Sequence, residues 1–475
     1  MAAPVKSLVI VGRDAPVWLA ANVLQAALPL TVQVVELPTL LRPADVQATQ
    51  PAIEALHTLL GIEEAHLLKA TGGAFSLGQS FRDDQGSFFH PYGSVGAPIG
   101  NQPFLPHWVK ARQFGLAVAF EDFSLTAAAA KQGRMLAPSK ETEGFARTEY
   151  GYHLPAPAYA GYLKGLALRR GVQARQTAAI HVHVEAESGA ICGIGLEGGE
   201  RVEGDLYLDA TGPEALLIGA ALGMGRESWR GYFPCDRFLT LSGERFSSVP
   251  IFAQIRAQPF GWLGFYPTQN GTGLLAAYDS AAWNAEEVSG IVARSAKMGQ
   301  NEAIVSSSDP GRRREVWVKN CVALGEAASS FDPVHNVDLQ AVQMALVHLL
   351  ALFPVSAEFE AERREYNRLL ASGYDRLCDF QAAHYATPRS AVLAHKMETF
   401  QARGIIPLLD EESFPLESWH SLLLGHGLMP ESWSPSIDAT PGEVMKEGFK
   451  AILARIKQLV EQQPSHDSYL EIFCS

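Results

Sequence analysis

The sequence predicts an α/β protein with a Rossmann-like dinucleotide-binding core, an inserted second β-sheet and an appended C-terminal helical unit. Three observations favour this class. The chain opens with an apolar strand, a tight turn and a helix in "SLVIVGRDAPVWLAANVL". A second apolar strand ends in an acidic residue about 20 residues after the turn, as dinucleotide-binding folds require. Strand-like and helical patterns then alternate along the chain.

Composition sets the broad class of the protein. A chain of 475 residues is too long for one ordinary core, and 47% hydrophobic with 19% charged residues is typical of a globular protein. A net charge of −13 argues against non-specific binding to nucleic acid or to an anionic membrane. No apolar run reaches the roughly 20 residues of a membrane helix, and the five scattered cysteines suggest reduced thiols. We therefore expect a cytoplasmic protein.

The first elements follow from local patterns. "SLVIVG" reads as a buried strand, and a helix is predicted from about Ala15 to Ala27. The residues expected on the buried side of that helix are Trp18, Leu19, Val23 and Leu24. The second strand, "TVQVVEL", contains Glu36 near its end, where an acidic side chain holds a ribose hydroxyl.

The later elements return to the same core. A helix is predicted in "APAYAGYLKGLALRRG", followed by an antiparallel meander and a buried strand that ends in "DATG". Residues 216–315 alternate as in a separate sheet, and the run Arg312-Arg313-Arg314 reads as a solvated turn. The predicted division is a core from 1–70, 145–215 and 316–350, a sheet-rich domain from 71–144 and 216–315, and a helical unit from 351–475.

Five segments in this order resemble the flavin-dependent tryptophan halogenase family. They are "PADVQATQPAIEALHTLLGIEEAHLLKATGGAFSLGQSF", "YGYHLPAPAYAGYL", "ALGEAASSFDPVHNVDLQAVQMAL", "EYNRLLASGYDRLCDFQAAHY" and "FPLESWHSLLLGHGLMPESW". The resemblance implies a flavin monooxygenase-like core that binds FAD, with the sheet-rich domain on the substrate side and the helical unit as a cap over the substrate. It also implies a partner flavin reductase, hypochlorous acid that passes through a tunnel to a lysine, and a glutamate that assists the halogenation of an indole.

The residues that carry this chemistry differ here. The family's lysine corresponds to Ser76, and its glutamate corresponds to His335 in "DPVHNVDL". A serine cannot replace the lysine amine, and Asp338, at a family glycine, would repel a halide. Histidine side chains ordinarily serve as bases near neutral pH, so His335 is the catalytic candidate, although it could also simply fill space in a degenerate site.

The β-strand-to-helix turn departs from the glycine fingerprint. Alignment on Trp18 places Gly12, Asp14 and Val17 at the three glycines of G-x-G-x-x-G. The carboxylate of Asp14 would stand near the FAD diphosphate, so the resemblance implies a weakened FAD site. Its expected residues are Gly12, Arg13, Ala15, Glu36, Thr49, Gly212, Gly325 and Glu326.

The substrate side also departs from the family. The motif W-x-W-x-I-P becomes "WLGFYP", in which Gly264 replaces the second tryptophan. The residues expected to contact substrate are Trp262, Phe265, His384 and Tyr385, although the last two also suit structural hydrogen bonding. His181, His183 and Glu185 share one strand face, but an exposed sheet face explains them, so we expect no metal.

Two functions from different classes follow. The first is a flavin-dependent oxidoreductase of the monooxygenase and halogenase family that has lost halogenation and acts on, or binds, an unknown small molecule. The second is a catalytically silent member, a pseudoenzyme, that binds a small molecule or a protein partner. Halogenation of tryptophan or indole is a distant alternative. Expected partners are a small molecule and a flavin reductase, with no nucleic acid and no membrane, and a homodimer is compatible with the sequence.

Overall fold

A computed structural model describes residues 5–296, 303–356, 358–385 and 389–475. The chain forms two compact units. The first unit comprises Met1–Thr71, Leu154–Phe233 and Ser308–Cys378, and the second comprises Gly72–His153, Pro234–Ser307 and Asp379–Ser475. The predicted α/β class with a Rossmann-like core and a helical C-terminal region is confirmed. The predicted three-part domain division stays a prediction.

The strands are numbered along the chain. They are β1 Ser7–Gly12, β2 Thr31–Glu36, β3 Val46–Ala48, β4 Ala74–Ser76, β5 Gly78–Arg82, β6 Ser87–Pro91, β7 Gly151–Pro155, β8 Gln173–Gln176, β9 Ile180–Val184, β10 Ile191–Leu196, β11 Arg201–Val202, β12 Leu206–Ala210, β13 Arg226–Ser228, β14 Arg237–Gly243, β15 Ala253–Gln258, β16 Gly261–Pro267, β17 Thr272–Tyr278, β18 Ile304–Ser307, β19 Gly311–Arg313, β20 Trp317–Val318, β21 Cys321–Ala323 and β22 Ser329–Ser330.

The α-helices follow the same convention. They are α1 Asp14–Ala27, α2 Ile53–Leu59, α3 Glu64–Thr71, α4 Phe104–Gln113, α5 Leu125–Lys131, α6 Lys140–Glu143, α7 Ala156–Arg169, α8 Ala285–Ala296, α9 Asp338–Ala351, α10 Glu360–Ala382, α11 Ala391–Arg403, α12 Leu416–Gly425, α13 Gly442–Glu461 and α14 His466–Phe473. No helix in the described ranges is both long enough and apolar enough to cross a membrane.

A six-stranded sheet forms the centre of the first unit, in the order β20-β21-β12-β1-β2-β8. Strand β1 pairs in parallel with both β12 and β2. Its residues Leu8 to Val11 have no exposed surface, as expected for a strand covered on both faces. The four helix residues predicted to be buried, listed above, are at most 1% exposed. The strand–turn–helix prediction is therefore confirmed.

The arginine run corrects one prediction. Arg312 and Arg313 belong to β19 rather than to a solvated turn. The side chain of Arg312 is 13% exposed and forms ion pairs with Glu227 and Asp375. Arg313 donates to the carbonyl oxygens of Met224 and Ala327. The prediction failed because run length alone does not reveal carboxylates and carbonyls supplied by distant segments.

The second unit is built on a seven-stranded sheet in the order β18-β14-β17-β16-β15-β5-β6. Helix α8 covers one face, where Val288 and Val292 join a buried cluster with Leu263 and Phe265. Alternate residues of β16 point to opposite faces, so Trp262 lies on the other face from Phe265. This alternation determines which side chains of the "WLGFYP" segment share a surface.

Candidate functional site

The site begins at the carboxyl end of β1. Gly12 has φ 151°, and a Cβ atom there would lie only 2.0 Å from the carbonyl oxygen of Ala210. Glycine is therefore required by the close approach of β1 and β12. Asp14 has φ 63°, in the left-handed region that favours glycine. The backbone thus keeps the shape of a glycine turn although the residue is an aspartate.

The Asp14 carboxylate is held by the segment after β2. It accepts a hydrogen bond from Thr39 Oγ1 at 2.5 Å and one from the Leu40 backbone N–H at 3.4 Å. Ala15 and Val17 are buried in α1, and Pro16 packs beside Gly325. The third fingerprint position is thus filled by the fully buried side chain of Val17. These contacts place a carboxylate and a branched side chain where the fingerprint has bare backbone.

Glu36 ends β2, where it was predicted, but its carboxylate has partners within the first unit. Lys164 on α7 places Nζ 2.5 Å from Glu36 Oε2, and Gln176 donates from Nε2 at 2.8 Å. The Lys164 ammonium also lies 5.4 Å from the centroid of the Trp18 ring. A cavity of about 180 Å³ opens beside these groups. Its lining residues are Asp14, Trp18, Glu36, Leu37, Thr39, Leu41, Pro157, Ala160, Gly161 and Lys164.

The Arg13 guanidinium forms no ion pair with Asp14. Its backbone is extended, and its Nη2 atom pairs with Glu214 Oε2 at 2.8 Å. Gly212 follows the buried strand β12 and has φ 84°. The preceding Asp209 carboxylate accepts hydrogen bonds from Thr211 and from the backbone N–H groups of Leu217 and Ile218. Asp209 is therefore used to hold this glycine loop in shape.

Two more carboxyl groups, those of Glu326 and Asp338, interact electrostatically at this end of the sheet. Burial raises the pKa of Glu326, and Asp14 raises it further, whereas Arg226 and Arg13 lower it. A Cβ atom added to Gly212 would lie 3.9 Å from Glu326 Oε2. Asp338 begins α9, and burial together with Glu326 raises its pKa to about 7. The carboxylates therefore repel one another, which disfavours the simultaneous ionisation of all of them.

The loop before α9 brings His335 into the first unit's interior. His335 is fully buried with φ 67°, and its carbonyl oxygen accepts a hydrogen bond from Gln50 Nε2 at 2.5 Å. Thr49, the neighbour of Gln50, is 1% exposed. Asn336 also has a left-handed φ of 50°. His335 thus lies close to the segment that contains Thr49, and its catalytic role stays a prediction.

The residues around this turn have features both for and against an FAD diphosphate. The N-terminus of α1 keeps its backbone N–H groups and positive dipole end, which suit a phosphate. The carboxyl groups of Asp14 and Glu326 are unfavourable for a bound phosphate. The nearby Arg13 guanidinium is already paired with Glu214. A ligand dianion added there would repel both carboxylates.

The remaining predicted residues lie in the second unit. Ser76 ends β4, is 1% exposed and donates from Oγ to the Gly78 carbonyl at 3.2 Å. A Cβ on Gly264 would lie 2.9 to 3.1 Å from the ring of Tyr266, so this ring occupies the space beside the glycine. Trp262 is buried on the same face as Gly264. Replacement of the second tryptophan therefore leaves an aromatic side chain in place.

Phe265 and His384 have different surroundings within the same unit. Phe265 is 1% exposed in the core cluster beneath the Arg256 guanidinium, which lies 4.3 Å from its centroid. His384 and Tyr385 form a 3-10 turn, and His384 Nδ1 lies 3.0 Å from His426 Nε2. The substrate roles assigned to these residues and to Trp262 stay predictions.

No metal site is found in the described parts of the chain. His181 and His183 lie on β9 with their ring centroids 4.6 Å apart. Within the described ranges, no group of three or more histidine, cysteine, aspartate or glutamate residues could hold a metal ion. The sequence reasoning missed Lys164. Its signal was present in "APAYAGYLKG", because Gly161 and Lys164 lie three residues apart on one face of α7.

Comparisons with known proteins place this geometry among relatives. The family model described as tryptophan halogenase matches residues 7–442. The 7-chloro-L-tryptophan 6-halogenase KtzR of Kutzneria sp. strain 744 is 24% identical over 98% of both chains. The structure of Xcc4156, a flavin-dependent halogenase from Xanthomonas campestris, has a TM-score of 0.94 and 30% identity over 99% of both chains. BrvH, a flavin-dependent halogenase from Brevundimonas sp. BAL3, has a TM-score of 0.91 and 27% identity over 99% of both chains.

Proposed function

Because the chain belongs to the tryptophan halogenase family, we propose that it is a divergent member that binds or acts on a small molecule without halogenating it. If it is an enzyme, it is a flavin-dependent oxidoreductase with a weakened FAD site. The names of the similar proteins favour halogenation. The side chains at the chemically important positions favour its loss.

The observation that carries this proposal is the pair of substitutions at Ser76 and His335. A halogenating site needs an amine that holds or activates electrophilic chlorine and a carboxylate that stabilises the cationic arene or takes its proton. The resemblance assigns these tasks to the positions of Ser76 and His335. The Ser76 hydroxyl donates a hydrogen bond to a backbone carbonyl, and the His335 side chain is fully buried in the first unit. Neither side chain supplies the required amine or carboxylate.

The same proposal includes weak FAD binding. A carboxylate about 4 Å from one phosphate charge costs on the order of 4 kcal/mol at an effective dielectric of about 20. That cost corresponds to roughly a thousandfold in affinity. A flavin reductase that supplies reduced FAD is the partner that this family implies, and the substrate is a small molecule of unassigned class. A homodimer belongs to the proposal as well.

One experiment separates the candidate functions. Freshly purified protein is examined for a flavin absorption band and is then titrated into FAD while flavin fluorescence is followed. The proposal predicts weak but saturable quenching, whereas a catalytically silent member predicts none even at millimolar FAD. Mass spectrometry of a reaction with FAD, a flavin reductase, NADH, bromide and tryptophan or indole should show no halogenated product. Stoichiometric FAD in the purified protein, or a brominated arene, would contradict the proposal.

A further inference from the structure

A cleft of about 330 Å³ lies in the second unit at the ends of strands β5 and β15. Its lining residues are Arg82, Asp83, Asp84, Arg256, Ala257 and Gln258. These residues are separate from the carboxylates at the end of β1 and from Ser76 and His335. Ligand binding in this cleft would therefore not depend on the residues that carry the proposed function.

Strand register brings two arginines together in this cleft. Strands β5 and β15 are parallel neighbours, and Arg82 is aligned with Arg256. Aligned residues of neighbouring strands point to the same face of a sheet. The two guanidinium groups are therefore positioned side by side. Burial lowers the pKa of Arg256, and the charge of Arg82 lowers it further. The arrangement concentrates positive charge in one place.

The three donor side chains of the cleft retain hydrogen-bonding capacity. The side chain of Arg82 is exposed and forms no hydrogen bond or ion pair with any residue in the described ranges. Arg256 uses Nη2 for Gln254 Oε1 at 2.8 Å, and its guanidinium lies 4.3 Å from the Phe265 centroid. Gln258 accepts from Ser295 Oγ at 3.3 Å through Oε1, which leaves its amide nitrogen as the donor end.

The acidic residues of the cleft do not neutralise these donors by direct contact. Asp83 Oδ1 accepts from the backbone N–H groups of Gln85 and Gly86 at 2.8 and 2.9 Å, so it holds its own turn. Asp84 is exposed and forms no ion pair with either arginine. The remaining N–H donors of the cleft therefore suit a ligand acceptor that can take several N–H bonds at once.

We propose that this cleft binds the oxyanion group of a small molecule between Arg82 and Arg256. Planar guanidinium groups donate paired N–H bonds to carboxylates and phosphates, which makes arginine suited to both. The contact with Phe265 holds the Arg256 guanidinium in place and reduces the entropy lost on binding. The amide of Gln258 supplies a further donor. The cleft is large enough for an oxyanion together with part of its organic carrier.

The test uses the full chain and two probes of different shape. Inorganic phosphate and succinate are titrated separately by calorimetry at constant ionic strength, with chloride as the balancing anion. Arg82→Gln should weaken binding by about tenfold or more, because a hydrogen bond to a charged group is lost. Arg256→Lys keeps the charge but loses the planar fork, so it should weaken binding less than Arg256→Gln.

The matched control is Arg455→Gln, which removes the same charge from α13 in the same unit, where Arg455 pairs with Glu141 at 2.9 Å. Binding by the control should equal that of the parent chain. Preference for phosphate or for succinate would assign the ligand's anionic group, and either preference supports the proposal. Absence of saturable binding by both probes in the millimolar range would overturn it. Equal weakening by Arg82→Gln and Arg455→Gln would also overturn it. Near-ultraviolet circular dichroism shows whether each variant is folded.

Discussion

Removal of the Asp14 carboxylate is the sharpest test of the nucleotide turn. Asp14→Asn removes the charge and keeps the side chain's size, whereas Asp14→Gly also restores the residue that a φ of 63° favours. At about 4 Å and an effective dielectric of about 20, the lost repulsion is worth up to about 4 kcal/mol. Asp14 is half-buried and accepts two hydrogen bonds, so solvent and protein dipoles reduce this figure. We expect a gain in FAD affinity of at least about tenfold.

The stability effect of the same change should be small. Asp14→Gly gives up the hydrogen bonds from Thr39 and Leu40, each worth about 1 kcal/mol. It also relieves the left-handed conformation, which costs about 1–2 kcal/mol for a residue with a Cβ. A companion Val17→Gly change would be uninformative, because Val17 is fully buried in α1 and its loss would destabilise the helix and its packing.

The assay is quenching of FAD fluorescence at several salt concentrations. Both Asp14 variants should bind FAD more tightly than the parent chain, and their advantage should shrink at high salt, because salt screens the repulsion between Asp14 and the diphosphate in the parent chain. A gain in Asp14→Gly alone would mean that space, not charge, limits binding. Unchanged affinity in both variants would refute the electrostatic explanation of the weakened site.

Three other changes test different parts of the structure. Folded Asp338 has a pKa of about 7 against an ordinary value of 3.8, so the folded chain holds a proton that the unfolded chain has lost and stability falls as the pH rises between these values. Asp338→Asn should therefore gain little at pH 4 and up to about 4 kcal/mol at pH 8 in urea unfolding, and a pH-independent difference would contradict this reasoning. Ser76→Lys alone should give no halogenated indole by mass spectrometry, because His335 and Asp338 remain, and any such product would show that the loop is competent. Lys396→Met should lower the free energy of unfolding by about 3–5 kcal/mol, because it leaves the buried Glu412 carboxylate without its ammonium partner. Lys396→Met combined with Glu412→Gln should recover part of that loss in the same urea assay, and a double variant no more stable than the single one would argue against the charge explanation.

The "WLGFYP" segment shows why a substitution should be judged with its neighbours. The sequence alone shows that Gly264 replaces the aromatic side chain of the second tryptophan in the motif. The structure places the Tyr266 ring beside Gly264, within 3.1 Å of the position where a Cβ would lie. Both residues point to one face of β16, since they are two positions apart on a strand. The exchange of isoleucine for tyrosine in the motif thus accompanies the loss of tryptophan.

Local sequence determined the first strand, the turn, helix α1 and the position of Glu36. An apolar run of six residues, a glycine and a helical spacing of buried side chains depend only on neighbours along the chain, so they can be read without a structure. A sheet within residues 216–315 and the helical C-terminal region were also foreseeable from alternation and periodicity, whereas the addition of β5 and β6 to that sheet was not. The unusual residue at position 14 was visible as well, because the fingerprint specifies glycine there.

Only the tertiary structure decided how those residues are used. Lys164 meets Glu36 across 128 residues of chain, and Arg13 meets Glu214 across 201. The raised pKa of Asp338 depends on burial and on Glu326, and the alignment of Arg82 with Arg256 depends on strand register. Each effect is a contact or a field between segments remote in sequence. Periodicity carries no information about such distances, and they exist only once the chain has folded.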